Sequence, residues 1–219
     1  MSYHTRKYAV DEDFFAQLDT IEKAYWLGFL AADGCVHTGR KGNPEKVVVT
    51  LQAQDLGQLE ALRDVLHSTY EIRPTKRQKG FKLQIASVKL CRDLVAQGVP
   101  PCKSLTLRFP QLPDALLPHF IRGYFDGDGC FYIDKRYNQA EVQFEGNPTF
   151  LWAMESVLRK ACKLKKRNKL HGKATAQSKA LRYGGNRQVS RIVDFLGTEH
   201  YYGMARKHQA IMTHFAGGS

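Results

Sequence analysis

The stretch WLGFLAADGCV at residues 26–36 returns 95 residues later as IRGYFDGDGCF at 121–131, with a glycine, an Asp-Gly pair and a cysteine in register. An internal repeat constrains the fold most when its flanks recur with it, and here they do. Val47, Val49 and Leu51 alternate with more polar neighbours after the first copy, as Val142 and Phe144 do after the second, which is the period of a half-buried strand. Each run leads to a helix start, at Asp55 and at Asn147 with Pro148 behind it. Leu59, Leu62, Val65 and Leu66 are then matched at helical spacing by Leu151, Met154, Val157 and Leu158. Basic, alternating segments follow, 70–73 and 81–87 against 164–171 and 179–185, and read as hairpins. Helices at 88–97 and 188–196 close the halves, stopped by Gly98 and Gly197, a residue suited to the left-handed turn that ends a helix. The expected fold is α+β: two pseudo-symmetric α-β-β-α-β-β-α halves with antiparallel sheets.

The halves are expected at 1–98 and 119–219, joined by 99–118. Pro100, Pro101, Pro110, Pro113 and Pro118 exclude a regular helix or a central strand from that connection. Its apolar Leu105, Leu107, Phe109 and Leu112 predict an ordered path along the surface rather than a loose tether.

Composition narrows the partners. The 219 residues are 43% hydrophobic, sufficient for a packed core, and 33 Lys and Arg against 21 acids give a net charge of +12, a balance that favours a polyanion. Cys35, Cys91, Cys102, Cys130 and Cys162 are odd in number and never form Cys-x-x-Cys, which points to reduced thiols rather than a disulfide framework or a zinc ribbon. His37, His119, His171 and His200 have no spacing that unites them in a histidine-metal nuclease site. No apolar run is long enough for a bilayer and the N-terminus lacks a secretory signal, so a soluble intracellular protein without a membrane partner is expected.

The repeated motif itself carries the chemistry. Glycine inside a helix costs roughly 1 kcal/mol relative to alanine, so Gly28, Gly123 and Gly127 need a compensating reason. Gly28 and Ala32 are four apart, as are Gly123 and Gly127; each pair shares a helix face on which the two motif helices can pack almost backbone to backbone. Asp33 and Asp128 would then emerge side by side. Two adjacent carboxylates are costly without a cation, and hard oxygen ligands favour Mg²⁺, which binds phosphate as well. A negative charge at a helix C-terminus is disfavoured by up to ~1 kcal/mol, and the misfit occurs twice.

These two segments resemble the signature helices of the LAGLIDADG homing endonucleases, and the resemblance extends from about Ile21 to Phe215. It implies that Asp33 and Asp128 ligate divalent metals with help from the backbone carbonyls of Ala32 and Gly127. The ion would be Mg²⁺ or another such as Mn²⁺, with Ca²⁺ supporting binding without cleavage. It further implies metal-assisted hydrolysis that leaves a staggered double-strand break across the minor groove. Lys103 in PPCKS and Lys207 in MARKHQ resemble the family's basic residues around the scissile phosphates, and Gln54 resembles its water-positioning polar residue. The first motif departs from the family pattern with Ala31 where the second has Asp126, at a position taken to lie outside the chemistry.

The DNA contacts are expected on the hairpins. Arg40, Lys41, Lys46, Lys76, Arg77, Lys79 and Lys82 cluster in the first half, and Lys135, Arg136, Lys165, Lys166, Arg167, Lys169, Lys173, Arg182 and Arg187 in the second. Gln84, Gln139, Gln143, Arg182 and Tyr183 are candidates for reading base edges. Two ribbons laid in major grooves would span roughly 16 to 20 base pairs. Because the halves differ in almost all of these residues, the target is expected to be asymmetric, and the internal duplication predicts a monomer. The same scaffold would also suit an RNA-splicing maturase or a non-cleaving DNA-binding regulator, whose mark would be loss of a motif acid; both acids are present. A generic RNA-binding protein would place aromatics on an open sheet, and no such motif occurs.

Overall fold

In a computed structural model, residues 7–39, 41–75, 79–173, 175–197 and 203–216 are described. The first half runs α1 (Ile21–Asp33), β1 (Gly34–Thr38), β2 (Pro44–Gln52), a 3-10 turn (Ala53–Asp55), α2 (Leu56–Val65), β3 (Ile72–Pro74), β4 (Gly80–Ala86) and α3 (Val88–Ala96). A one-turn helix, α4 (Lys103–Thr106), lies in the connection. The second half runs α5 (Leu117–Asp128), β5 (Gly129–Asp134), β6 (Gln139–Gly146), α6 (Pro148–Ala161), β7 (Leu170–His171), β8 (Lys179–Gly184), α7 (Asn186–Leu196) and α8 (Ala205–Ala216). Among the described residues no helix is long and apolar enough to cross a membrane.

The strands form two antiparallel sheets, β1-β2-β4-β3 and β5-β6-β8-β7. Their registers repeat the sequence offset: Gly34 pairs with Val49 as Gly129 pairs with Phe144. Alternation buries Val47, Val49, Leu51, Leu83 and Ile85 in the first sheet and Ala140, Val142, Phe144, Leu181 and Tyr183 in the second, leaving the opposite faces to solvent.

Helix ends follow local chemistry. Thr20 accepts from the Lys23 amide, Ser87 from that of Leu90 and Asn147 from that of Phe150, and Gly98 and Gly197 take positive φ of 96° and 74° after α3 and α7. Asp55 departs from this pattern: it stands at the start of α2 but its carboxylate makes no cap and pairs with Arg206 at 3.0 Å.

Three expectations need correction. The connection holds α4 and ends earlier than 118, because Pro118 lies in the first turn of α5, where its missing N–H has no helical acceptor to serve. The strand expected over 164–171 is only Leu170–His171, since Leu164 turns into the core while Lys165, Lys166 and Arg167 remain outside it. A helix beyond the α-β-β-α-β-β-α order, α8, was not anticipated.

The halves meet along α1 and α5. A Cβ added at Gly28 would lie 2.0 Å from the Phe120 carbonyl oxygen and 2.9 Å from the Tyr124 nitrogen. One added at Gly123 would lie 1.9 Å from the Tyr25 oxygen and 2.8 Å from the Phe29 nitrogen. The two helices therefore touch through their main chains. Trp26, Phe29, Phe120 and Phe125, all fully buried, fill the flanks of this seam and join both sheets in one core.

Candidate active site

Because α1 and α5 pack in parallel positions of the repeat, their last residues, Asp33 and Asp128, reach the same end of the seam. The Cβ position at Gly127 lies 2.3 Å from the Ala32 Cβ and 3.4 Å from the Asp33 carboxyl carbon. Asp33 is half-buried and Asp128 exposed, and among the described residues neither carboxylate makes a hydrogen bond or an ion pair with a side chain. Loss of hydration, followed by the charge of Asp128, raises the Asp33 carboxyl to about 6. Asp128 is raised too, chiefly by loss of hydration, with Glu145 adding to it and Lys103 and Lys207 opposing.

The two lysines approach this pair from outside the motif helices. Lys103 opens α4, after Cys102 in a left-handed turn at φ 54°, and its ammonium donates to the Ala32 carbonyl at the end of α1. Lys207, buried in the first turns of α8, lies within 2.8, 2.7, 3.1 and 2.6 Å of the carbonyl oxygens of Phe125, Asp126, Gly127 and Gly129. Burial lowers both lysine pKa values, and the motif acids counter it. Ala32 on Lys103, and Asp126 and Gly127 on Lys207, are carbonyls that a helix C-terminus leaves without internal partners, while the Phe125 carbonyl also accepts from the Gly129 amide.

A cleft of about 280 Å³ opens beside Asp128, lined by Ala32, Lys103, Tyr124, Glu145 and Asn147 among others. Glu145 escaped the sequence reading. The signal was its parity, since it follows buried Phe144 on β6 and so faces outward beside the motif acid; Thr50 holds the matching register position in the first half. Gln54 does not reach this cleft. It is exposed in the 3-10 turn, donates to Gln52 at 3.1 Å, and borders a separate groove with Asp55, Met204 and Arg206.

Behind the acids lies a buried polar network. Tyr25 donates to Asp126 at 2.9 Å and accepts from Gln58 at 2.7 Å, while Arg122 contacts Asp126 at 3.3 Å and donates to the Gly197 carbonyl at 2.7 Å. The Met204 amide also donates to Asp126, at 3.3 Å. Asp126 is therefore engaged in positioning the chain that leads to Lys207, a role the sequence did not reveal.

The basic and polar residues named for DNA fall in several environments. Gln84 and Arg182 stand exposed on outward faces of β4 and β8, and Lys46 and Lys82 are half-buried on the outward face of the first sheet. Lys41, Lys79, Lys135 and Arg136 are exposed in turns, Lys165, Lys166, Lys169 and Lys173 are exposed around β7, and Arg187 is exposed on α7. Gln143 donates to Glu145 at 2.9 Å, and Gln139 accepts from the Asn186 amide at 3.2 Å. Arg167 is drawn back to α6, with its guanidinium 4.1 Å from the centre of the Trp152 ring and 3.8 Å from Glu155. Tyr183 is not a surface residue: it is fully buried, because it shares parity with Leu181 on β8, and the expectation that it reads bases is corrected. Arg40, Lys76, Arg77 and His200 lie outside the described residues.

Residues 20–95 match the model of the LAGLIDADG-like domain. The chain is similar in structure to the meganuclease I-SmaMI bound to uncleaveable DNA, with 12% identity, a TM-score of 0.59 and 88% of each chain covered. It is also similar to the LAGLIDADG homing endonuclease I-LtrWI bound to target DNA, with 9% identity, a TM-score of 0.56, and 91% of this chain and 92% of that one covered. A curated relative, the probable translation initiation factor IF-2 of Methanocaldococcus jannaschii, is 32% identical over 122 residues, which is 54% of this chain and 10% of that protein. The chain thus matches only about a tenth of that relative's length. Fold and duplicated acid motif define a two-repeat α+β protein built on a central helix pair. The chain has the fold of the LAGLIDADG homing endonucleases, and the family match within it spans residues 20–95, inside the first half.

Proposed function

We propose that the protein is a monomeric, site-specific endonuclease that makes a staggered double-strand break in a long asymmetric DNA target by Mg²⁺-dependent phosphodiester hydrolysis. The observation that carries this reading is the Asp33–Asp128 pair: two carboxylates at the ends of abutting helices, without hydrogen-bonded or ionic partners among the described residues. Such a pair suits a divalent cation, and the donors at hand, carboxylate and main-chain carbonyl oxygens, are the hard ligands Mg²⁺ or Mn²⁺ prefers. Bound there, the ion would supply Lewis-acid charge that makes water nucleophilic and stabilises a departing 3′ oxygen. Asp33 and Asp128 would each serve one strand. Lys103 and Lys207 would place positive charge beside the scissile phosphates.

The exposed sheet faces would hold the duplex. Their central strands differ: β2 presents Lys46, Val48, Thr50 and Gln52, whereas β6 presents Gln139, Glu141, Gln143 and Glu145. Amides suit adenine and carboxylates suit the cytosine amino group, so the two half-sites would not be copies of each other. A net charge of +12 supplies the attraction for phosphate, and an enzyme acting on genomic DNA would work inside the cell.

The reading is tested by selecting duplexes from a randomised pool in Ca²⁺ and then adding Mg²⁺. Double-strand cuts at one long asymmetric site, lost in Asp33→Asn and in Asp128→Asn, are expected. Specific binding with no Mg²⁺-dependent cut would overturn the reading and leave a binding protein on the same scaffold.

A further inference from the structure

Lys207 has three N–H donors but four carbonyl oxygens within 3.1 Å of its ammonium nitrogen. An ordinary hydrogen-bond pattern does not need the fourth. A shell of four oxygens drawn from the last turn of α5 and the first residue of β5 is the environment of a cation, and the negative end of the α5 dipole strengthens it. Lys103 occupies the corresponding place at the end of α1, on the Ala32 carbonyl. Ala32 and Gly127 immediately precede the motif acids in the chain, so their carbonyls stand at the same helix ends as the Asp33–Asp128 pair. The lysines hold both.

We propose that Lys103 and Lys207 are resident cations of the acid site, holding the Ala32 and Gly127 carbonyls and the negative helix ends when no metal is present, and that a divalent ion binds in competition with them. The inference rests on the reading of Asp33 and Asp128 as a metal site and adds a property of that site. A 2+ ion drawing on those carbonyls would sit a few ångströms from an ammonium group that uses the same oxygens, and the two repel. Metal entry therefore requires one or both lysine heads to withdraw, and a phosphate nearby offers them an alternative anion. The exchange keeps the two helix ends neutralised before DNA arrives and makes tight metal binding conditional on DNA.

The test is Ca²⁺ titration by calorimetry without DNA, for wild type, Lys103→Met, Lys207→Met, and each of these combined with Asp33→Asn. Methionine retains much of the stem and removes the charge. Lys103 is less deeply buried than Lys207, so Lys103→Met carries the test should Lys207→Met fail to fold. Each lysine variant is expected to bind Ca²⁺ roughly tenfold more tightly than wild type, and Asp33→Asn is expected to abolish the gain. Unchanged or weaker Ca²⁺ binding in both lysine variants, with binding still lost on Asp33→Asn, would overturn the exchange while leaving the metal site standing. No Ca²⁺ binding in any protein, lysine variants included, would overturn both.

Discussion

The Tyr25 hydroxyl donates at 2.9 Å to the Asp126 carboxylate, 101 residues further along the chain, and both side chains are buried. This bond ties α1 to α5 on one side of their seam only. In the first copy of the repeat, Leu27 and Ala31 stand where the second has Arg122 and Asp126, so the polar cluster has no counterpart across the pseudo-twofold axis. Its members reach the Gly197 carbonyl and the Met204 amide, the two sides of the segment leading into α8. A second tie, Arg206 to Asp55, holds the start of α8 against the first half.

Breaking this cluster singly should be severe. Asp126→Ala leaves the Arg122 guanidinium buried without its carboxylate, and a loss of ~3–5 kcal/mol in urea unfolding is expected. Arg122→Leu combined with Asp126→Ala, the residue types of the first copy, should recover most of that loss, because an apolar pair has no desolvation cost. Equal destabilisation by the single and double variants would contradict this account.

The helix seam makes a sharper steric prediction. Gly28→Ala and Gly123→Ala each push a methyl group within about 2 Å of a carbonyl oxygen in the facing main chain, which cannot move aside without parting the helices. Losses of at least ~1–3 kcal/mol are expected. Gly57 in α2 faces open space, and Gly57→Ala should be stabilising by about 0.4–1 kcal/mol. Thermal unfolding of the three variants distinguishes packing from general intolerance of glycine replacement.

Asp33 should cost stability at neutral pH. Its carboxyl titrates near 6 in the folded chain against an ordinary 3.8, so the folded state binds the proton more tightly and stability falls as pH rises through that interval. That displacement corresponds to at most ~3 kcal/mol, and partial solvation reduces it to about 1–2 kcal/mol. In EDTA, Asp33→Asn is expected to be more stable than wild type at pH 7, with the gain shrinking toward pH 4. A gain independent of pH would point to packing instead.

Adjacent residues on β8 should behave oppositely. Arg182→Ala, on the exposed face, is expected to weaken duplex binding and lower the salt slope by about 1 if the arginine meets phosphate. Tyr183→Phe should leave DNA affinity unchanged. It should not reduce stability either, because the buried hydroxyl has no hydrogen-bond partner among the described residues. Fluorescence anisotropy across a salt series reads the first effect, and thermal melts the second.

Much of the architecture was legible in the chain because it is written in local periodicity. The repeat, the alternation at Val47–Val49–Leu51, the Asn147 cap and the glycine stops at Gly98 and Gly197 each depend on neighbouring residues alone, and each has its structural counterpart. The burial of Tyr183 was legible too, from its parity with Leu181, but its polar tip and basic neighbours favoured the surface reading. The helix α8 was missed because its start follows a segment without a decisive cap, and it packs on β5, where Phe131 meets His214 and Phe215, and on the end of α5 through Lys207, partners distant in sequence.

By itself the sequence determined that two similar halves would pair through glycine-faced helices and bring two aspartates to one end, since spacing along a helix settles which residues share a face. Only the tertiary structure decided what surrounds that pair: Lys103 and Lys207 on the helix-end carbonyls, Glu145 beside Asp128, Gln54 turned away, and Asp126 bound to Tyr25 and Met204. Those partners come from segments 17 to 101 residues apart in the chain. Their meeting depends on how the packed halves close, and periodicity within one element cannot encode it.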